Sequence, residues 1–241
     1  MARDTALLAR AARTGETVFS IYSWSAPTLS FGRHQPAVAH YDPERIRAAS
    51  VDVVRRPTGG RAILHHREVT YSVTAPINSE RLRTTYSRIN RILVDGLSRL
   101  GVAASIATPA ERAAVPSARP CFEQPGEGEV VAQGRKLIGS AQWRDGGGVL
   151  QHGSILVEDD QSSLPAFSVM GDGVPEAIPQ PATLSDLLAR TPTTGELAAA
   201  MFEAVKSLED AQPVRIEEEE IREETLRHVA QFEDEGWTWR R

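Results

Sequence analysis

Cysteine and lysine are nearly absent from this sequence of 241 residues. Cys121 is the single cysteine, so an internal disulfide and a cysteine-rich zinc site are both excluded. Among 27 basic residues only Lys136 and Lys206 are lysines. Because arginine supplies charge elsewhere, a retained lysine suggests a task that needs an amine able to release a proton. For Lys206 we favour chance retention.

Long apolar runs and basic blocks are also missing. No stretch approaches the roughly 18 apolar residues that cross a bilayer, and residues 1–13 lack the apolar core of a signal peptide. The formal net charge of −5, with no basic block against it, argues against general nucleic-acid binding. The sequence therefore predicts a cytoplasmic protein that contacts neither membrane nor nucleic acid.

Hydrophobic periodicity predicts an α+β fold with a mixed or antiparallel sheet flanked by helices. Ten strands are predicted, at residues 18–24, 28–31, 51–55, 61–65, 69–74, 102–106, 129–133, 136–143, 149–157 and 214–216. Helices are predicted at residues 4–12, 79–100, 193–208 and 217–232. Gly15 is expected to end the first helix, Ser79 to cap the second, and Thr193 with Glu196 to form a capping box at the start of the third. Residues 145–148, Asp-Gly-Gly-Gly, predict a hairpin turn between two strands. We expect one domain over 1–241, with a mobile segment at about 162–181 and a small helical C-terminal portion at about 193–241.

The first motif that carries chemistry joins two predicted strands. It contains Arg55, Arg56, Thr58, Gly59, Gly60, Arg61 and, at its end, His65. Paired glycines let the backbone approach a ligand closely, and arginines meet phosphate or carboxyl oxygens in bidentate geometry. The alternative is an ordinary hairpin turn. The motif matches neither the P-loop nor the dinucleotide fingerprint.

Two further motifs follow on predicted strands. The first includes Lys136, Gly139, Ser140 and Gln142, where the lysine stands either at a pocket mouth or as an edge-strand charge that discourages aggregation. The second is His152, Gly153 and Ser154, which lacks the nucleophile elbow and is better interpreted as a hydrogen-bonding wall. His65 and His66 are adjacent on a strand and point to opposite faces, so we predict no metal site.

Cys121 is the remaining candidate and lies in a predicted loop. A lone cysteine in a cytosolic protein is usually a packing residue, and its thiolate forms at neutral pH only beside a cation or dipole. Lys136 follows 15 residues later, a separation that permits contact between the two side chains without requiring it.

The three motifs, taken together and in this order, resemble the lipoate branch of the biotin/lipoate protein ligase superfamily over nearly the whole chain. The segment that begins Cys121-Phe122 is similar to the Cys-Phe-Asp-Ala-Pro segment of the cysteine-dependent octanoyl-[carrier protein]:protein N-octanoyltransferases. ATP-dependent lipoate ligases typically have a third glycine and then His-Asp, where this chain has Arg61 and His66.

The resemblance implies a class II biotin/lipoate ligase-like catalytic domain that needs no cofactor. It implies that octanoate passes from octanoyl-acyl carrier protein to Cys121 and then to a lysine of a lipoyl domain or of glycine-cleavage H protein. Lys136 would assist the thiol, and the other motif residues would bind substrate. The acyl tail is expected near Gly59-Gly60 and the faces of Ile138 and Ile155. Three alternatives remain open: an ATP-dependent lipoate or octanoate ligase, a lipoyl-domain amidotransferase, and a non-catalytic acyl- or carrier-binding paralogue.

Overall fold

A computed structural model describes residues 1–77, 82–107, 122, 128–169 and 180–240. Within them, nine strands form two sheets. The strands are β1 (Val18–Tyr22), β2 (Thr28–Phe31), β3 (Asp52–Arg55), β4 (Ile63–His65), β5 (Glu68–Pro76), β6 (Ala104–Ile106), β7 (Val130–Ala132), β8 (Arg135–Asp145) and β9 (Gly148–Leu156). The predicted α+β class with a mixed sheet is confirmed.

The larger sheet has the order β1-β5-β9-β8-β7-β6, with every neighbouring pair antiparallel. The smaller sheet has the order β3-β2-β4, in which β2 is parallel to β3 and antiparallel to β4. Asp145 is paired with Gly148, and the two turn residues between them, Gly146 and Gly147, both have positive φ, as a type I′ hairpin requires. Strands β5, β9 and β8 form the centre of the larger sheet.

Seven α-helices surround these sheets in the described part of the chain. They are α1 (Ala2–Thr14), α2 (Pro43–Ala48), α3 (Leu82–Arg99), α4 (Leu184–Leu188), α5 (Thr194–Leu208), α6 (Glu218–Glu233) and α7 (Glu235–Thr238). The predicted ends are confirmed where a cap determines them. Gly15 closes α1 at φ 77°, and Thr193 with Glu196 forms the predicted capping box of α5. Ser79, the predicted cap of α3, lies outside the described residues.

Most buried apolar residues in the described part of the chain belong to two cores. The main core lies between the larger sheet and helices α3 and α5, where residues such as Leu93, Leu97 and Met201 pack on Val69 and Ile155. A second core packs on the smaller sheet. Because alternate strand residues face opposite ways, the other face of the larger sheet is left for Thr70, Ser72, His152 and Ser154, and the functional site lies there.

The predicted strand at residues 214–216 is wrong. These residues form no strand, and the 89% exposure of Val214 shows that no sheet covers this side chain. Within the segment predicted to be mobile, Gln161–Phe167 forms a 3-10 helix whose Leu164 and Phe167 are buried in the second core. The mobility of this segment stays a prediction. In the described part of the chain, no helix has the length and apolar character that crossing a membrane requires.

Candidate functional site

A small pocket opens between the two sheets. Eight residues predicted for the site line it: Arg56, Gly60, His65, Gly139, Ser140, His152, Gly153 and Ser154. Ile63, Thr70, Ala141 and Met1 complete the lining. The three motifs, separated by up to about a hundred residues, therefore meet at one place.

Small residues form the floor of the pocket on β8 and β9. Gly139 is paired with Ser154, and Ala141 is paired with His152. A Cβ at Gly139 would lie 3.1 Å from the Phe122 ring, and a Cβ at Gly153 would lie 2.8 Å from the Tyr71 ring. Neither position has room for a larger side chain unless these neighbours move, and at Gly153 the backbone of β8 is also in the way.

Gly60, in the loop after β3, forms part of the opposite wall. Gly60 has φ 93°, a conformation that favours glycine. The Arg56 guanidinium holds this loop by donating to the carbonyl of Gly59 and to that of Arg61, at 3.0 and 2.6 Å. Arg56 also donates to the backbone and side-chain oxygens of Ser30. These hydrogen bonds hold the glycine loop against β2.

His152 stands in a buried chain of hydrogen bonds that links three elements. Its Nδ1 lies 3.0 Å from Asp4 Oδ2, and its Nε2 lies 2.7 Å from Thr58 Oγ1. Burial acts to raise the pKa of Asp4, but the hydrogen bond from His152 and neighbouring positive charge outweigh it and hold that pKa well below its usual value. Burial lowers the pKa of His152, although Asp4 opposes this. At neutral pH the pair is therefore carboxylate and neutral imidazole.

His65 has a similar arrangement on the neighbouring wall. Its Nε2 lies 2.8 Å from Ser30 Oγ, and its Nδ1 lies 3.2 Å from Glu68 Oε1. Thr70 donates to the same Glu68 oxygen, and the Trp24 ring stacks on the imidazole at 4.3 Å between centroids. Both pocket histidines are thus oriented by a buried carboxylate from one side and a hydroxyl from the other.

Lys136 is buried beside the pocket, with 3% of its surface exposed. Its Nζ lies 2.7 Å from Glu129 Oε1 and 5.0 Å from the centroid of the Phe122 ring. Phe122 packs in turn on Ile63 and Leu156. Cys121, the predicted nucleophile, lies outside the described residues.

Several predicted site residues lie outside the pocket lining. The Arg55 guanidinium donates to carbonyls of Gly32 and Gln35 and to three in the C-terminal tail. Gln142 donates to Gln151 on the α3 side of the sheet. Thr58, Gly59 and Arg61 also do not line the pocket, although Thr58 holds His152.

The expected wall of Ile138 and Ile155 is wrong. Both side chains belong to the main core, on the face of the larger sheet away from the pocket. Ile63 lines the pocket instead. The alternation of side chains along β9 explains the error, since Ser154 and Ile155 must point to opposite faces.

Sequence reasoning did not identify Asp4, Glu68 or Glu129. Asp4 lies 148 positions before its partner His152, and a lone acidic residue in a helix carries no local signal of such a contact. Glu68 and Glu129 are similarly isolated acids near predicted strands. Among the described residues, no group of three or more histidine, cysteine, aspartate or glutamate side chains is arranged to hold a metal ion.

Comparison with known proteins identifies sequence relatives along most of the chain. The family model described as lipoyl protein ligase A/B catalytic domain matches residues 1–206. Octanoyltransferase LipM of Kyrpidia tusciae is 44% identical over 180 residues, 70% of this chain and 65% of that protein. The LipM of Carboxydothermus hydrogenoformans is 41% identical, over 68% of this chain and 62% of that protein. The match thus spans less than two thirds of these two relatives. The LipM of Anoxybacillus flavithermus is 33% identical over 91% of this chain and 85% of its own length.

Solved structures with the same fold include lipoate-protein ligase A bound with ATP, with a TM-score of 0.80 and 20% identity over 99% of this chain and 92% of that chain. A bi-partite lipoate protein ligase from Thermoplasma acidophilum gives a TM-score of 0.76 at 19% identity, over 99% and 89% of the two chains. At this identity the likeness shows the shared fold and carries no information on substrate.

Proposed function

Because the chain belongs to the lipoyl protein ligase A/B catalytic-domain family, we propose that it is an octanoyltransferase that works through a thioester on Cys121. The donor is octanoyl-acyl carrier protein, and the acceptor is a lysine of a lipoyl domain or of glycine-cleavage H protein. The relatives named octanoyltransferase LipM favour this activity over ATP-dependent ligation.

The position of Phe122 supports the role of Cys121 most directly. This ring lies against both Lys136 Nζ and Gly139, and Gly139 lines the pocket. Consecutive Cα atoms are about 3.8 Å apart, so the residue before Phe122 in the chain is bound to a residue that already contacts the lysine. This connection favours a thiol within reach of the amine.

The first half-reaction in this proposal moves the acyl group onto the enzyme. The Cys121 thiolate attacks the donor's thioester carbonyl, the carbon–sulfur bond to the carrier breaks, and Lys136 gives its proton to the departing thiolate. A nearby ammonium favours the attacking thiolate. Arginine supplies charge but does not release a proton, which accounts for lysine at this position.

The second half-reaction forms the amide. The acceptor amine attacks the octanoyl-Cys121 carbonyl, the carbon–sulfur bond breaks, and the neutral Lys136 amine takes the proton that the acceptor nitrogen loses. Because the enzyme carries the acyl group between the two steps, it can bind the carrier protein and the lipoyl domain one after the other instead of both at once. Burying about six methylenes of the tail at ~0.8 kcal/mol each contributes roughly 5 kcal/mol of gross binding energy.

Intact-protein mass spectrometry tests the proposal. The enzyme is incubated with octanoyl-carrier protein in the absence of ATP, and a mass increase of one octanoyl group is expected. Since Cys121 is the chain's single cysteine, Cys121→Ala must abolish the adduct if it is a cysteine thioester. Subsequent addition of a lipoyl domain should move the octanoyl group to that domain.

Other outcomes identify the alternatives. Strict dependence on ATP would establish a lipoate or octanoate ligase. Preference for an octanoylated lipoyl domain over the carrier as donor would establish an amidotransferase. Binding of the carrier without an adduct or transfer would establish a non-catalytic paralogue. Each of these outcomes overturns the proposed reaction.

A further inference from the structure

We propose that Asp4 is a positioning residue, which fixes the tautomer of His152 and through it the loop that bears Thr58. The assignment of the tautomer stands on the hydrogen-bond geometry, with Asp4 ionised and His152 neutral. Its consequence for turnover rests on the proposed octanoyl transfer. Asp4 comes from α1, His152 from β9, and Thr58 from the loop after β3, so one chain of hydrogen bonds joins three separate parts of the pocket.

The direction of each hydrogen bond follows from the donors available. An ionised carboxylate only accepts, so both partners of Asp4 Oδ2 must donate to it. These are the Tyr22 hydroxyl at 2.8 Å and His152 Nδ1 at 3.0 Å. A neutral imidazole with hydrogen on Nδ1 has a lone pair on Nε2. That lone pair therefore accepts from the Thr58 hydroxyl at 2.7 Å.

Burial makes this direction strongly preferred. Asp4 and Thr58 have 0% exposure, and His152 has 4%. If the imidazole hydrogen moved to Nε2, the Nδ1 lone pair would face the Asp4 carboxylate without a proton between them. Removing a hydrogen-bond donor from a buried carboxylate costs free energy, because the interior offers no water to replace the donor. The carboxylate thus selects one tautomer.

The Thr58 end of the chain explains why this matters for the pocket. Thr58 precedes Gly59-Gly60, and its carbonyl accepts from the backbone N–H of Arg33 at 2.7 Å. Gly32 packs so closely on the Gly60 carbonyl that a Cβ would not fit there. Thr58 is thus held by its side chain at His152 and by its carbonyl at Arg33. These two hydrogen bonds fix the position of the following Gly60 in the pocket wall.

Two other charged groups act on His152. Arg56, which lines the same pocket, and the N-terminal amine both lower its pKa, whereas Asp4 raises it. Replacing Asp4 by asparagine therefore removes a contribution that favours the protonated imidazole.

The decisive measurement is the pair of ring ¹⁵N chemical shifts of His152, assigned with a His152→Gln spectrum. The native protein should show hydrogen on Nδ1 and a hydrogen-bonded lone pair on Nε2 at pH 7. Hydrogen on Nε2 in the native protein would overturn the proposal, and this result needs no variant to fold.

Asp4→Asn then tests the control that the carboxylate exerts, because the amide can present its NH₂ group to Nδ1. We expect the Nε2–H tautomer to become populated and the KM for octanoyl-carrier protein to rise about tenfold, with a smaller change in kcat. The acid limb of the KM profile should move to lower pH. The matched control is Glu16→Gln, the same acid-to-amide change at an exposed position after α1, which should leave all three readouts unchanged.

The outcomes separate the two claims. If native enzyme forms no octanoyl adduct, the transfer reaction fails while the ring nitrogen shifts still test the tautomer. The native enzyme could instead form the adduct while the Asp4→Asn variant has the same ring shifts, KM and pH profile as the native enzyme. In that case the positioning role of Asp4 is wrong and the proposed transfer reaction stands.

Discussion

Gly153→Ala should destabilise the protein strongly, because the new methyl group has no place to go. Gly153 is paired with Ser140 across β9 and β8. A Cβ built on Gly153 would lie 2.8 Å from Tyr71 Cε1 and 3.0 Å from Ser140 Oγ, and it would also overlap the Gly139 carbonyl oxygen. The Tyr71 ring alone would have to move by about 0.6 Å to reach an ordinary 3.4 Å contact, and it is itself fully buried.

The magnitude follows from the kind of atom that obstructs the methyl group. Overpacking a core costs about 1–3 kcal/mol, and the upper end applies here because a backbone carbonyl cannot rotate away. For a chain of this size, each kcal/mol lowers Tm by roughly 2–4 °C, so about 3 kcal/mol corresponds to a loss of roughly 6–12 °C. Since β8 also carries Gly139 and Lys136, the octanoyl adduct should form more slowly below the melting transition.

Thermal unfolding followed by circular dichroism measures the effect, with Gly59→Ala as the matched control. Gly59 belongs to the same site, but a Cβ there would meet no atom within 4 Å. We expect the control to melt within about 2 °C of the native protein, as a surface substitution does. Equal melting temperatures for the two alanine variants would refute the close packing of β8 against β9 on which the floor of the pocket depends.

Three other predictions concern charge. Lys136→Arg should abolish the octanoyl adduct without unfolding the protein. The control is Lys206→Arg, at the chain's other lysine, which should form the adduct as the native protein does. Normal adduct formation in Lys136→Arg would show that Lys136 takes no part in the mechanism. Arg55→Lys should lower the free energy of unfolding by about 3 kcal/mol, because charge-assisted hydrogen bonds to backbone carbonyls are lost. The KM of the folded enzyme should change little. A large change in KM with unaltered stability would show that Arg55 contacts the substrate. The free energy of unfolding from urea titrations should fall as pH drops below 6.5, where unfolded His152 takes up a proton before the folded residue does. It should fall further below about pH 3.8, where the Asp4 carboxylate protonates in the unfolded chain. A flat profile between pH 7 and 4 would contradict the burial of this pair.

Local signals made much of the fold predictable. The capping box of α5 and the glycine turn between β8 and β9 were found because each depends on a few adjacent residues. Helices α2 and α4 were missed, since six and five residues are too few to show helical periodicity. The division into two sheets was not predictable, because β2 pairs in parallel with β3 across an intervening helix and this pairing leaves no mark in either strand.

The site was predictable to the extent that its residues occur in motifs. The motif glycines Gly60, Gly139 and Gly153 line the pocket, and a Cβ would lie within 3.1 Å of neighbouring atoms at each of them. Carboxylates that orient the histidines were not identified. Asp4 acquires its role from a contact across 148 positions, and only the packing of α1 against β9 brings it about. Motifs therefore revealed the lining of the pocket but not the buried groups that hold the lining in place.

Arg55 and Arg56 show how one motif divides into two tasks. The two residues are adjacent at the end of β3, so their side chains point in opposite directions. Arg55 binds carbonyls of the C-terminal tail, and Arg56 binds carbonyls of the glycine loop at the pocket. A guanidinium only donates, and its planar fork suits groups of fixed acceptors. Both arginines thus bind backbone carbonyls, Arg56 at the pocket and Arg55 away from its lining. This accounts for a doubly basic motif beside a site proposed to bind an uncharged acyl chain.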